Sequence, residues 1–306
     1  MALNRVLHVM VMGAGAVGGY FGGKLSQLPG VHLSMVARGE HLDAILKNGL
    51  HVESIDGSFT VNAPASDSPA ELPSPDLILF TVKTFDTEGA IRQIRPVVSP
   101  KTIILTLQNG LENRLMLEEA FDNEQLMLGV CRIGARISEP GHISHTDPAS
   151  VIVGTNKQTA SDHTETICSL FRRAKLKCRV ADDITREIWK KFSWNAIFNM
   201  LTAAENCTVE AFYGKGEPYP GIDRLADEIL KTAKAEGVDL RRNDLNKMIN
   251  RSSALGGFIT STLHDRREGK ALEYDAFTGA LLRLGDKHGL ELPEFRKLHH
   301  RLEALS

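Results

Sequence analysis

Apolar positions along the chain fall into two textures. In the first half, short apolar runs alternate with amphipathic stretches; beyond Ala181-Asp182-Asp183 almost only helical periodicity remains. Residues 6–12, 31–37, 77–82, 102–107 and 126–133 read as buried strands. A continuous apolar run is expected of a parallel strand covered on both faces. Residues 142–144, 151–153 and 177–180 add shorter strands, and Asp56-Gly57 between 50–54 and 58–63 predicts a hairpin. Helices are expected from the first glycines to about Gln27 and over 40–47, 87–94, 111–121 and 161–174. The second texture predicts helices over 184–204, 221–236, 243–253 and 271–288, with Asp182 or Asp183 capping the first and a loop over 206–220. The layout implied is α/β: a doubly wound, Rossmann-type domain over 1–181, followed by an all-helical domain over 182–306. In such an arrangement a cleft between the domains is the expected ligand site.

The first strand runs into Gly13-Ala14-Gly15-Ala16-Val17-Gly18, a G-x-G-x-x-G pattern with Gly22 beyond it. Gly13 permits a tight strand-to-helix turn, Gly15 leaves bare backbone for a pyrophosphate, and Gly18 lets helix and strand approach closely. The first amides of the helix, at Ala16, Val17 and Gly18, then face the phosphates with the positive end of the dipole. A tight βα turn without a cofactor is the plainer alternative. At the end of the second strand, where NAD-binding folds place an acid, stands Arg38, and the nearest acid is Glu40. A guanidinium suits a 2′-phosphate, so NADP(H) is expected; otherwise Arg38 is a solvated loop residue and Glu40 takes the ribose.

The 306 residues suit two domains, and 42% hydrophobic content is ordinary for a globular chain. A net charge of −2 gives no reason to expect nucleic acid as a partner. Cys131, Cys168, Cys178 and Cys207 lack zinc spacing and read as reduced thiols of a cytoplasmic protein. Residues 6–23 carry no Asp, Glu, Lys or Arg, but six of these eighteen are glycine, which suits neither a signal peptide nor a membrane span. No metal-binding motif and no G-x-S-x-G elbow is present.

Within 184–204, Lys191, Asn195 and Asn199 recur at i, i+4 and i+8 on an otherwise largely apolar helix, with Thr202 in the same stripe. An ammonium and two amides there need partners or water, which a wet cleft would supply. The alternative is a solvated Lys190-Lys191 pair with the asparagines bonded to nearby loops. Lys83 and Asn109 follow the strands 77–82 and 102–107 at their C-terminal ends, where open α/β sheets bind ligands. Ser261 precedes the last long helix expected, and Glu273 opens it; alone, such a glutamate reads as a surface charge near a helix start.

Together these pieces resemble the ketopantoate reductase (2-dehydropantoate 2-reductase) family over essentially the whole chain. The matching stretches are GAGAVGGYFG at 13–22, Arg38, VKT at 82–84, QNGLEN at 108–113, IWKKFSWNAIFN at 188–199, STLHD at 261–265 and EYD at 273–275. The resemblance implies a Rossmann domain plus a helical domain like that of 6-phosphogluconate dehydrogenase, and NADPH-dependent reduction of a 2-oxo acid, ketopantoate to pantoate in pantothenate synthesis. It puts Lys191 at the general-acid position and Glu273 at the family's acid. Asn109, Asn195, Asn199 and Ser261 fall at substrate contacts, and Arg38, Lys83 and Asn109 on the cofactor side. A homodimer is compatible with it. Met200, Trp194, Lys270 and Leu272 depart from the family pattern, which leaves open a paralogue that reduces another 2-oxo acid. A non-enzymatic NADP(H) sensor is the third reading; it has no use for Lys191, Asn195, Asn199 and Glu273.

Overall fold

The computed structural model describes residues 6–155, 162–214 and 217–305, so Ser161 and Gly216 lie outside the described residues. The chain divides into two compact units. One holds the chain up to Gln108 with Asn113–Ile184, and the other holds Asn109–Glu112 with the chain from Thr185 onward. The segment 109–112, which the sequence places with the first domain, joins the second because Leu111 is buried in the helical core.

The first unit runs β1 (Leu7–Met12), α1 (Ala16–Ser26), β2 (Val31–Val36), α2 (Gly39–Asn48), β3 (Leu50–Ser54), β4 (Phe59–Val61), β5 (Ala65–Ser66), β6 (Leu77–Phe80) and α3 (Thr87–Ile94). It continues with β7 (Ile103–Thr106), α4 (Asn113–Ala120), β8 (Leu126–Glu139), β9 (His142–Gly154), α5 (Asp162–Arg173) and β10 (Lys177–Val180). The strands form one sheet in the order β4-β3-β9-β8-β7-β6-β1-β2-β5, with β10 added on β9. From β5 through β8 every neighbouring pair is parallel. Apolar residues fill all four positions of β6, as a strand covered on both faces requires. The winding reverses at β1, which has β2 on one side and β6 on the other. The C-terminal ends of β1 and β6 therefore form the topological switch point, where open α/β sheets take their ligands.

Two expectations need correction here. Residues 142–144 and 151–153 are one strand, β9, and β8 runs past Ile133 to Glu139 to pair with it antiparallel. The polar residues between them hide the pairing from an apolar-run criterion. The ladder also slips register three times, between Arg132 and Gly134, Gly134 and Ala135, and Ile137 and Glu139.

The glycines of α1 are poor helix formers, and packing explains them. A methyl group on Gly19 would strike Ile143 and Leu50, one on Gly22 would strike Val11, and one on Gly23 would strike Phe59. The helix backbone itself thus presses on β1, β3, β4 and β9.

The second unit contains α6 (Ile184–Trp194), a π-helical segment Asn195–Asn199, and α7 (Met200–Glu205). A two-strand ladder of β11 (Tyr213–Gly214) and β12 (Glu217–Pro218) follows, then α8 (Pro220–Ala235), α9 (Arg242–Ser252) and α10 (Ser261–Arg267). A second π-helical segment, Asp275–Gly279, leads into α11 (Ala280–Lys287), and α12 (Pro293–Glu303) ends the unit. Phe192, Phe198, Phe277 and Phe295 are at the centre of its core. The helix expected over 271–288 begins only at Asp275, so Glu273 lies before it. The sequence reading missed α10 and α12. For α12 the signal was present: Pro293 sits in the first turn, and Phe295, Leu298 and Leu302 form its buried stripe. Its first amides, Glu294 N and Phe295 N, donate to the buried Glu228 carboxylate, both at 2.9 Å. Among the described residues no helix is long and apolar enough to cross a membrane.

Gly18 tests the close approach of α1 to the sheet. A methyl group there would overlap Thr81 Oγ1, the Gly13 carbonyl and Val11 Cγ1. Gly18→Ala is expected to lower stability by about 3 kcal/mol in a denaturant titration, the scale of overpacking in a close-packed core. A loss below about 0.5 kcal/mol would mean that the turn relaxes freely.

Candidate active site

In the first unit the predicted nucleotide residues converge on the switch point. Gly13 has φ +94°, and a side chain there would meet Val82 Cγ1 at 2.8 Å and Val82 N at 2.9 Å. The turn is pinned from both sides. Gly13 N and Ala14 N donate to the Val36 carbonyl at 3.2 and 2.8 Å, and the Thr81 hydroxyl donates to the Gly13 carbonyl at 2.8 Å. Gly15 is the N-cap residue of α1, and nothing lies within 4 Å of a methyl group placed on it. No side chain caps this helix, and its first turn carries no acid. The amides at Ala16, Val17 and Gly18 thus belong to an uncapped helix start with open space at Gly15, which fits a dinucleotide pyrophosphate.

Three side chains flank this turn. Lys83 is exposed and follows β6 at the entry to a 3-10 turn, Thr84–Asp86. Arg38 follows β2 as the N-cap residue of α2. Its guanidinium forks onto the Asp86 carboxylate, Nη1 to Oδ1 at 3.1 Å and Nη2 to Oδ2 at 2.7 Å. Sequence reasoning missed His41. Its Nδ1 accepts from Gly141 N at 3.0 Å, so Nε2 carries the proton and donates to the Ala14 carbonyl at 2.9 Å. Burial holds its pKa below the ordinary histidine value. Protonation would set a second N–H against that of Gly141.

In the second unit, α6 separates the two lysines. Lys190 pairs with Glu187 at 3.1 Å and lies 3.9 Å from Asp244, while Lys191 is half-buried one position on. Asn195 and Asn199 are 5% and 3% exposed and bound the π-helical segment. Their expected stripe assumed 3.6 residues per turn. The wider π turn departs from that spacing, and both asparagines are buried. Thr202, fully buried, shares a 2.8 Å hydroxyl contact with Thr260, which also caps Leu263 N. This docks the start of α10 beside Asn199, whose Nδ2 donates to Ser261 Oγ at 3.3 Å and Thr262 Oγ1 at 3.4 Å. Asn199 Oδ1 is buried with no hydrogen-bond partner among the described residues.

Glu273 is half-buried, two residues before the second π-helical segment. The two π segments pack on each other, and Phe192 stacks on Phe277 with centroids 5.9 Å apart. Asn109 opens the short segment that belongs to this unit. That segment is held by Arg283, which sequence reasoning missed. Arg283 forks onto Glu112 at 2.7 and 2.6 Å and onto Asp275 at 3.0 Å twice. The bonds to Glu112 and then Asp275 raise its pKa further above the usual arginine value. One guanidinium thus ties the stretch after Asn109 to the stretch after Glu273. Both acids look ordinary in sequence, and only the tertiary pairing distinguishes them.

Family models match both units. Residues 9–158 match the model described as ketopantoate reductase PanE/ApbA, and 183–306 its C-terminal counterpart. The chain belongs to the ketopantoate reductase family. It is 26% identical over 301 residues to a 2-dehydropantoate 2-reductase of Nostoc sp., covering 96% of this chain and 94% of the relative. The crystal structure of 2-dehydropantoate 2-reductase from Geobacter metallireducens superposes with a TM-score of 0.90 at 31% identity, over 98% of this chain and 100% of the other. A ternary structure of D-mandelate dehydrogenase with NADH and anilino(oxo)acetate shares the fold at 21% identity and TM-score 0.89, over 98% of each chain. As a ketopantoate reductase family member the protein is an oxidoreductase, and the family works with a nicotinamide cofactor.

Two outcomes are expected from the nucleotide half. Gly15→Ala fills only open space, so the unfolding midpoint should stay near wild type while NADPH affinity falls about tenfold or more; retained affinity would move the pyrophosphate elsewhere. His41, with its folded-state pKa below the unfolded value near 6.5, contributes stability that is full above about pH 6.5 and is lost as pH falls through the folded value. The stability gap between wild type and His41→Gln should therefore shrink between pH 7 and 5. A pH-independent gap would exclude this titration.

Proposed function

We propose that the protein uses NADPH to reduce the ketone of a 2-oxo acid to the 2-hydroxy acid, with 2-dehydropantoate as substrate and pantoate as product, a step of pantothenate synthesis. Family membership supports the reaction class, and Asn199 supports the substrate. Its amide nitrogen is engaged by Ser261 and Thr262, which leaves a buried oxygen without a donor among the described residues. Such an orphan costs stability until something supplies a hydrogen. 2-Dehydropantoate carries a hydroxyl beyond its ketone and can supply it, whereas a carboxylate oxygen would repel the amide oxygen.

A bound reduced nicotinamide supplies the hydride. Addition to the ketone carbon places negative charge on oxygen, and in our reading the Lys191 ammonium stabilises that charge and delivers the proton. Glu273 orients the lysine or the substrate, and Asn109, Asn195 and Ser261 complete the substrate contacts. Gly13, Gly15, Ala16, Val17 and Gly18 take the pyrophosphate, and Arg38 with Lys83 takes the 2′-phosphate side; Asn109 also serves the cofactor. A second reading, a paralogue for another 2-oxo acid, draws on Trp194. Its ring lies 5.7 Å from Phe198 and 6.2 Å from Phe258, bulk next in sequence to Asn195 that departs from the family pattern.

NADPH oxidation, followed by absorbance, tests both. Lys191→Ala is expected to lower kcat about 10²-fold or more with NADPH affinity near wild type, the scale of lost acid catalysis. Unchanged kcat removes Lys191 from the proton transfer. 2-Dehydropantoate should exceed its analogue without the hydroxyl by about 10²-fold or more in kcat/KM, since a site built around that hydrogen bond rejects the truncated ligand. Equal turnover favours the paralogue.

A further inference from the structure

Asp86 stands at the N-cap position of α3, where an aspartate ordinarily accepts from first-turn amides, yet its side chain makes no capping bond. Both carboxylate oxygens go instead to Arg38. The Arg38 side chain is 76% exposed and that of Asp86 29%, and an exposed pair of this kind adds little to stability. The two residues come from the loops after β2 and β6, the two neighbours of β1 in the sheet. The pair thus links the strand ends on either side of the glycine turn. In such folds the adenosine ribose is read at the end of the second strand. A 2′-phosphate there needs a guanidinium fork, and this fork is already filled by a carboxylate. A 2′-hydroxyl needs an acceptor, and Asp86 is one.

We propose that Asp86 sets the cofactor preference of this protein: it competes with the 2′-phosphate for Arg38 and offers an acceptor to the 2′-hydroxyl of NADH. The inference rests on the reading of Arg38 as the 2′-phosphate residue. It makes the protein less selective for NADPH than Arg38 alone would, because bringing a phosphate dianion beside a carboxylate costs affinity through like-charge repulsion.

Dissociation constants of NADPH, NADH, 2′,5′-ADP and 5′-ADP, measured at one low ionic strength, test it on intact protein. Asp86→Asn should tighten NADPH and 2′,5′-ADP about tenfold and leave NADH and 5′-ADP unchanged or a few-fold weaker. A ratio of NADPH to NADH affinity within twofold of wild type overturns the proposal. Asp86→Ser repeats the test should the amide rearrange the turn. Arg38→Ala addresses the underlying reading separately: it should weaken NADPH tenfold or more and spare NADH. If it does not, Arg38 is not the phosphate residue, whatever Asp86 does. In Arg38→Ala/Asp86→Asn the Asp86 effect on NADPH should shrink to the part that direct repulsion carries; an effect as large as in the presence of Arg38 means that the carboxylate acts without Arg38 and overturns the competition.

Discussion

The Thr81 hydroxyl reaches across from the end of β6 to the Met12 and Gly13 carbonyls, and Val82 lies against the α-carbon of Gly13. Backbone therefore packs on backbone at the one place where the sheet changes winding direction. The same contact that forbids a side chain at Gly13 and Gly18 leaves Gly15 facing open space, so packing and ligand access divide the three glycines between them. His41 adds a tether from outside the motif, through the Ala14 carbonyl. The uncapped start of α1 is then a consequence of geometry. Gly15 offers the α1 amides no side-chain acceptor and the first turn carries no acid, a helix start to which an anion is suited.

The helical unit is built on a different constraint. Asn195, Asn199, Thr202, Thr260 and Thr262 are buried among phenylalanines, and buried polar groups must find partners. The hydroxyls do so locally, Thr202 on the Phe198 carbonyl at 2.7 Å and on Thr260. A π-helical segment leaves main-chain geometry locally altered where Asn195 and Asn199 stand, and a second one follows Glu273. Such segments cost helix stability and are often found at functional sites. Here each adjoins residues for which the motif match suggests chemistry.

How much of this was legible depended on the physical range of each signal. The glycine turn, the buried strands β1, β6 and β7 and the change of texture after β10 are written in contiguous residues, and the fold class follows from them. That Asn199 donates to Ser261, 62 positions on, is a tertiary contact that the separate motifs do not spell out. The β8–β9 hairpin was read only in its apolar halves, although Pro140-Gly141 marks its turn and Ile133, Ala135 and Ile137 alternate along β8. The π segments were hidden, since nothing in NAIFN or DAFTG distinguishes an i+5 bond from an i+4 bond. Arg38–Asp86 and Arg283–Glu112 join charges 48 and 171 positions apart, and no window along the chain brings them together. α12 was readable, and the apolar spacing of Phe295, Leu298 and Leu302 was simply passed over.

The six residues QNGLEN show what a motif can conceal. Gln108 is bound within the first unit, its Nε2 donating to the Val82 carbonyl at 3.0 Å and to Thr87 Oγ1 at 2.8 Å. Asn113 is bound there as well, accepting from Thr87 and donating to Thr84. Between them Leu111 enters the helical core and Glu112 takes the Arg283 fork, with Gly110 at φ +91° supplying the bend. The motif is thus two anchors in one unit around an insert owned by the other. The Glu112 carboxylate is occupied by the Arg283 fork, and Asn109, at the edge of the insert, is carried by the same unit as Asn199 and Ser261. The proposed substrate amides thus share one framework, fixed relative to one another by the helical core, while the residues proposed for the phosphates are fixed by the sheet.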